Sequence, residues 1–229
     1  MRHAPLVLAA LIGASACAAQ QPNTLTNQER AAGWRLLFDG TTTTGWRGWK
    51  MDSLPSGWKA VDGALTRVAQ AADIITTDKF KNFELSLEWK ISPAGNSGIF
   101  YRASEDEDAI YWTAPEMQVL DDAGHPDGHD RLTSAGADYA LYAAPAGIVK
   151  PAGQWNAVRI VVNGNHVEQW MNGVKVVEYE LGSADWTAKV TASKFAPHPK
   201  YGRNTEGYIG LQEHGAWVAY RNIKIRVLP

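Results

Sequence analysis

The chain has 229 residues, 45% of them hydrophobic, and a formal net charge of −2. That length suits one large domain with a sizeable core, and the near-neutral balance excludes electrostatic capture of nucleic acid. The one cysteine excludes a disulfide framework, while ten tryptophans supply large flat faces, two-thirds or more of them expected in the core and a few as stacking platforms for pyranose rings.

Residues 1–20 read as an export signal. Arg2 and His3 precede the apolar run from Leu6 to Ile12, which small residues follow and which is too short to span a bilayer. Ala14-Ser15-Ala16-Cys17 resembles a bacterial lipobox, in which Cys17 is lipidated and becomes the N-terminus. The expected location is the periplasm, or the outer membrane through that lipid anchor alone. Residues 21–33 follow as a polar tether or short first helix, and residues 34–229 as one β domain.

From residue 34 onward, short apolar or alternating runs are separated by Gly, Asn, Asp and Pro, the pattern of an antiparallel sandwich rather than of βαβ units. Strands are expected at 34–38, 58–61, 64–67, 73–76, 83–91, 97–102, 116–120, 157–163, 166–171, 174–180, 208–212 and 218–227. Asn163-Gly164 and Asn172-Gly173 accept positive φ and predict two hairpins in a meander. No long segment has helical periodicity. The stretches 121–153 and 183–203 read as irregular, and loops of that length in a compact domain are usually functional.

In the run 83–91, Phe83, Leu85, Leu87, Trp89 and Ile91 should face the core, with Glu84, Glu88 and Lys90 on a charged outer side. Glu116 and Gln118 share one face of their strand, opposite Met117 and Val119. Arg102 would share a face with Phe100, where a planar guanidinium suits sugar oxygens or an ion pair with Glu116. The loop 121–130 concentrates Asp121, Asp122, His125, Asp127, His129 and Asp130 at a spacing that matches no defined metal loop, so turn formation is the simpler reading. Near the C-terminus, Ile209, Leu211 and Glu213 should point one way, and Tyr208, Gln212 and His214 the other, beside a Gly210 that admits close approach to the backbone. The chain has no Gly-x-Ser-x-Gly elbow, no His-Glu-x-x-His, no phosphate-cradling loop and no dinucleotide fingerprint. The Glu116-x-Gln118 pair carries an amide where a sandwich glycosidase would place its second carboxylate.

Taken in order, Leu37-Phe38-Asp39-Gly40, Gly45-Trp46, Asp62-Gly63, Phe83-Glu84-Leu85, Glu88-Trp89-Lys90, Asn96-Ser97-Gly98-Ile99 and Arg102 resemble the 3-keto-disaccharide hydrolase family. The likeness continues through Glu116-x-Gln118-Val119-Leu120-Asp121, Trp155-Asn156, Trp170-x-Asn172-Gly173, Gly210-Leu211-Gln212-x-His214-Gly215 and Arg221-Asn222-Ile223, so that it covers residues 34–228. It implies an all-β, concanavalin A-like jelly-roll of two antiparallel sheets, acting on a disaccharide or glycoside whose sugar is oxidised to a ketone at C3. Such a ketone acidifies the C2 hydrogen, so a base can remove it, the C1 group can leave, and water can add to the enone. Glu88, Asn96, Arg102, Glu116, Gln118, Asp121, Gln212 and His214 match the family's polar motifs, with His214 and Glu116, as base or acid, and Arg102 expected to be catalytic and Gln118, Gln212, Asn96, Glu88 and Asp121 substrate-binding. No cofactor is required by this chemistry, though calcium or manganese near Asp121 or His125 would be a Lewis acid for the ketone. A non-catalytic carbohydrate-binding module and a conventional glycosidase are the alternatives.

Overall fold

A computed structural model of the chain describes residues 20–229, so the expected signal with Cys17 lies outside the described residues. Among them, thirteen strands pair antiparallel into two sheets. In chain order these are β1 (Arg35–Leu36), β2 (Trp46–Gly48), β3 (Trp58–Val61), β4 (Ala64–Arg67), β5 (Ile74–Thr76), β6 (Phe83–Ile91), β7 (Asn96–Ala103), β8 (Glu116–Leu120), β9 (Asn156–Asn163), β10 (His166–Met171), β11 (Val174–Glu180), β12 (Tyr208–Leu211) and β13 (Val218–Val227). The larger sheet runs β11-β10-β9-β6-β13-β4-β3, with β1 also paired to β13, and the smaller runs β2-β5-β12-β7-β8. The expected two-sheet jelly-roll is the observed architecture.

The core lies between the sheets because each strand alternates. Phe83, Leu85, Leu87, Trp89 and Ile91 of β6 are all buried against Ile99, Tyr101, Met117, Val119, Ile209 and Leu211 of the smaller sheet. Full burial of each such side chain is worth about 1.5–3 kcal/mol relative to exposure. The outer side of β6 is less wet than its charges suggest. Glu84 is buried, where it accepts from Arg159 (3.1 Å) and Arg226 (2.7 Å).

Only Trp46, Trp58, Trp89 and Trp186 are buried, fewer than the two-thirds expected. Trp34, Trp155 and Trp170 are half-buried instead. The guanidinium carbons of Arg226, Arg221 and Arg159 stand 5.4, 4.1 and 4.3 Å from their ring centroids. A flat ring under a cation is a stable arrangement at a sheet surface, so these tryptophans need no core.

Residues 21–33 dock on the sandwich. Asn23 and Asn222 exchange two bonds of 2.6 and 2.8 Å, and α1 (Asn27–Ala31) starts in a Thr26/Glu29 capping box whose Glu29 also pairs with Lys224. A second helix, α2 (Ala184–Thr191), interrupts the segment read as irregular. Trp186 is the one buried residue of this short helix, so no apolar stripe announces it.

The outer face of the smaller sheet is divided. One half carries Ile75, Phe100 and Ala103, covered by Ile110 and Ala114 of the β7–β8 connection. Gly210 belongs to this half. A Cβ there would stand 2.7 Å from Ile110 Cδ1, so the glycine admits a core side chain rather than a ligand. The other half is polar and open.

Candidate active site

The open half is a cleft of about 620 Å³, large enough for a disaccharide-sized ligand. Its floor is built by alternation. Glu116 and Gln118 of β8 point outward because Met117 and Val119 fill the core, and Asn96 does the same at the start of β7. Gly98 pairs with Gln118 across the ladder. A Cβ on Gly98 would stand 2.0 Å from Glu116 Oε1, so the carboxyl lies over that glycine. Gln212 leaves β12 beside them, held by a bond from its N–H to the Gly98 carbonyl (3.0 Å) and by Ser97 Oγ donating to its carbonyl (2.7 Å).

The walls come from elsewhere. Asp73 precedes β5 and accepts from the Glu213 N–H (2.8 Å). Glu213 does not enter the core with Ile209 and Leu211. The strand ends at Leu211, and Arg67 Nε donates to the Glu213 carboxylate (2.8 Å), which fixes the turn that carries His214 to the cleft. His125 and Asp127 arrive on the loop after β8, and Tyr139 on residues 136–139, which run along the β8 edge through Tyr139 N–H to Glu116 C=O (3.0 Å). Tyr111 and Trp112 stand on the β7–β8 connection, Trp112 stacked on His198 at 3.6 Å and 6°. Lys194 enters from the segment after α2.

The electrostatics of the floor are unusual. Glu116 is 5% exposed, and no hydrogen bond reaches its carboxyl among the described residues. Burial, with the charges of Asp73 and Asp127 adding and Lys194 opposing, pushes its pKa up to about 8. Burial also lifts Asp73 to about 6 and pushes Lys194 down, against the attraction of Glu116 and Asp127. Both amide atoms of Gln118 and the Oε1 of Gln212 are buried without a partner. Buried polar groups are nearly always satisfied, so these unpaired amide atoms stand out at the floor of the cleft.

Asn96, Glu116, Gln118, Gln212 and His214 are thus brought together, but Arg102, Glu88 and Asp121 are not. Arg102 adopts φ +52 at a register shift opposite Tyr208 and Gly210, which breaks the alternation that would align it with Phe100. Its guanidinium is spent on the carbonyls of Lys81 (2.7 Å) and Gly164 (2.8 Å), not on Glu116. Glu88 sits on the outer side of the larger sheet, ion-paired with Arg221 (2.7 Å). Asp121 ends β8 and accepts from Ala94 N–H (2.8 Å), which pins the β6–β7 turn. Sequence reasoning missed Asp73, Tyr111, Trp112, Tyr139 and Lys194. The length of the two irregular segments was the only signal for Tyr139 and Lys194.

The side chains of the 121–130 loop are held by backbone donors. Asp121, Asp122 and Asp130 each accept from a backbone N–H, at Ala94, Ala135 (2.7 Å) and Leu132 (2.9 Å), and His125 Nδ1 accepts from Asp127 N–H (3.1 Å). Among the described residues, metal-ligand spacing occurs instead at His166, Glu168 and Glu178, on the outer side of the β10–β11 hairpin, where Lys175 already pairs with both glutamates.

Residues 33–226 match the family model described as the 3-keto-alpha-glucoside-1,2-lyase-like domain. A curated relative from Bacteroides thetaiotaomicron, named 3-keto-disaccharide hydrolase, is 39% identical over 231 residues, covering 86% of this chain and 79% of the relative. A crystal structure from Parabacteroides distasonis ATCC 8503, provisionally named a glycosyl hydrolase, superposes with a TM-score of 0.86 at 33% identity and covers 91% of this chain and 100% of that one. The carbohydrate binding module CBM66 from Bacillus subtilis shares the fold, with a TM-score of 0.51 at 12% identity over 80% of this chain and 96% of that one.

Proposed function

The chain belongs to the 3-keto-alpha-glucoside-1,2-lyase-like family, and from that premise we propose that it cleaves glycosides whose sugar carries a ketone at C3. The observation that carries this reading is Glu116, a buried carboxyl still protonated at neutral pH, beside the unpaired amides of Gln118 and Gln212. Removal of the C2 proton gives an enolate, which expels the C1 oxygen to leave an enone. That oxygen needs a proton as it departs, and an acid that keeps its proton at the working pH is suited to give it. Glu116 donates it. The resulting carboxylate then takes a proton from the water that adds at C1, and a proton returned to C2 completes the free 3-keto sugar. His214 at the rim is the base for C2, and Gln118, Gln212 and Asn96 bind ring hydroxyls. The net reaction is hydrolysis. Export and an anchor at Cys17 belong to the same proposal, supported by the apolar run and the lipobox-like residues.

Offering the purified protein matched glycosides with a ketone or a hydroxyl at C3 tests this reading. Cleavage of the ketone form alone is expected. Equal cleavage of both would make the protein a conventional glycosidase, and binding without cleavage would make it a lectin-like module. A second result should follow from the floor. Gly98→Ala puts a methyl group onto Glu116 Oε1 and displaces the carboxyl. The expected loss is about 100-fold or more in kcat/KM. An unchanged kcat/KM would remove Glu116 from the reaction.

A further inference from the structure

Elimination next to a ketone builds negative charge on the C3 oxygen. Gln118 and Gln212 offer neutral N–H donors, which orient that oxygen without neutralising it. A cation placed against that oxygen stabilises the same charge more strongly.

Lys194 has the geometry for this. It lines the cleft, yet among the described residues it donates no hydrogen bond and forms no ion pair. Outside the cleft, Lys175 pairs with Glu168 and Glu178, Lys189 with Asp185, Lys200 with Glu107 and Lys224 with Glu29. The Lys194 ammonium stands 4.2 Å from the ring centroid of Tyr139, 5.3 Å from Phe195 and 5.7 Å from Tyr111. Aromatic faces favour the charged form but accept no hydrogen bond of ordinary strength, so the three N–H donors stay available. The side chain is solvent-exposed where it lines the cleft, so its ammonium is within reach of an incoming ligand.

We infer that Lys194 is a catalytic residue, the cation that receives the C3 oxygen as it becomes an enolate. This role rests on the proposed 3-keto-glycoside reaction and adds to it the group that makes C2 deprotonation feasible. It also orients the sugar, with C3 toward the Tyr139 wall of the cleft.

The test compares wild type with Lys194→Met, using cleavage of a 3-keto-glycoside and exchange of its C2 hydrogen for deuterium, which reports enolate formation directly. The variant should lose about 100–1,000-fold in kcat, the usual effect of deleting one oxyanion donor. C2 exchange should fall in parallel, KM should change less than about threefold, and thermal melting should show an intact fold. Retained C2 exchange, or a rise in KM alone, would reduce Lys194 to a binding residue and overturn the role. Recovery of a borohydride-stable sugar adduct on Lys194 would overturn it differently, by showing the amine attacking C3 as a nucleophile. Absence of both cleavage and exchange in the wild type would refute the 3-keto-glycoside reading itself. Exchange by the wild type that persists in the variant refutes only the role of Lys194.

Discussion

Glu116→Gln should cut turnover by about 100-fold or more and, at neutral pH, make the protein more stable. The two effects have one cause. The Glu116 carboxyl is buried with no bond to either oxygen among the described residues, and its pKa stands at about 8 against 4.5 for the ordinary group. Below pH 4.5 the folded and unfolded chains both hold the proton, and ionisation takes nothing from stability. As pH rises toward 8 the unfolded chain ionises while the folded one does not, so stability falls by about 1.4 kcal/mol per pH unit. At pH 7 the accumulated cost is about 3 kcal/mol, and glutamine, similar in shape and never charged, removes it. The variant should therefore match wild type in urea midpoint at pH 4, exceed it at pH 7, and differ most above pH 8. Parallel pH profiles would show that the carboxyl is solvated or paired in solution. On the catalytic side, loss of a general acid costs about 100–10,000-fold. Stability gained together with activity lost is the signature of a site held at the expense of the fold.

The two-sheet architecture was legible because its signals are local. The nine-residue alternation of β6 and the Asn-Gly turns after β9 and β10 specify strands and hairpins without reference to the rest of the chain. β2 escaped because three residues carry too little period, and α2 because only one of its side chains is buried. The cleft was legible where strand alternation alone decides the face, at Asn96, Glu116, Gln118 and Gln212. His214 lies beyond the strand and reaches the cleft through the Glu213–Arg67 ion pair. Alternation does not say which sheet a strand joins, so Glu88 shared the polarity of the site residues but not their position. It also fails where the backbone leaves the extended region, as at Arg102. Lys194 depends on how a connection folds over the sheet, and nothing in the residues next to it specifies that.

What positions that connection leads to the largest structural effect, expected for Trp186→Ala. Five rings stack in series: Tyr142 on Tyr179 at 4.8 Å, Tyr179 on Trp186 at 4.9 Å, Trp186 on Tyr201 at 5.8 Å, and Tyr201 on Phe195 at 3.9 Å, all within 16° of parallel. The stack joins β11, the segment beside β8 that carries Tyr139, the helix α2 and the segment that carries Lys194. Trp186 is its centre, 1% exposed, and Gly202 packs so closely that a Cβ would stand 2.6 Å from the indole. Truncating a buried tryptophan to alanine costs about 3–5 kcal/mol, because the transfer energy is lost and a cavity remains. For a chain of this size that lowers Tm by about 6–20 °C. The damage should also be local before it is global. With the middle ring gone, the strands still pair, while the two segments walling the cleft lose their shared anchor. Proteolytic cleavage near residues 190–200 should therefore accelerate at temperatures where circular dichroism still reports intact sheets, and turnover should fall over the same range. Trp186→Phe, which keeps a ring in the stack, should recover most of both. A variant that melts within 2 °C of wild type would mean that the stack does not hold these segments, and that the placement of Lys194 has another source.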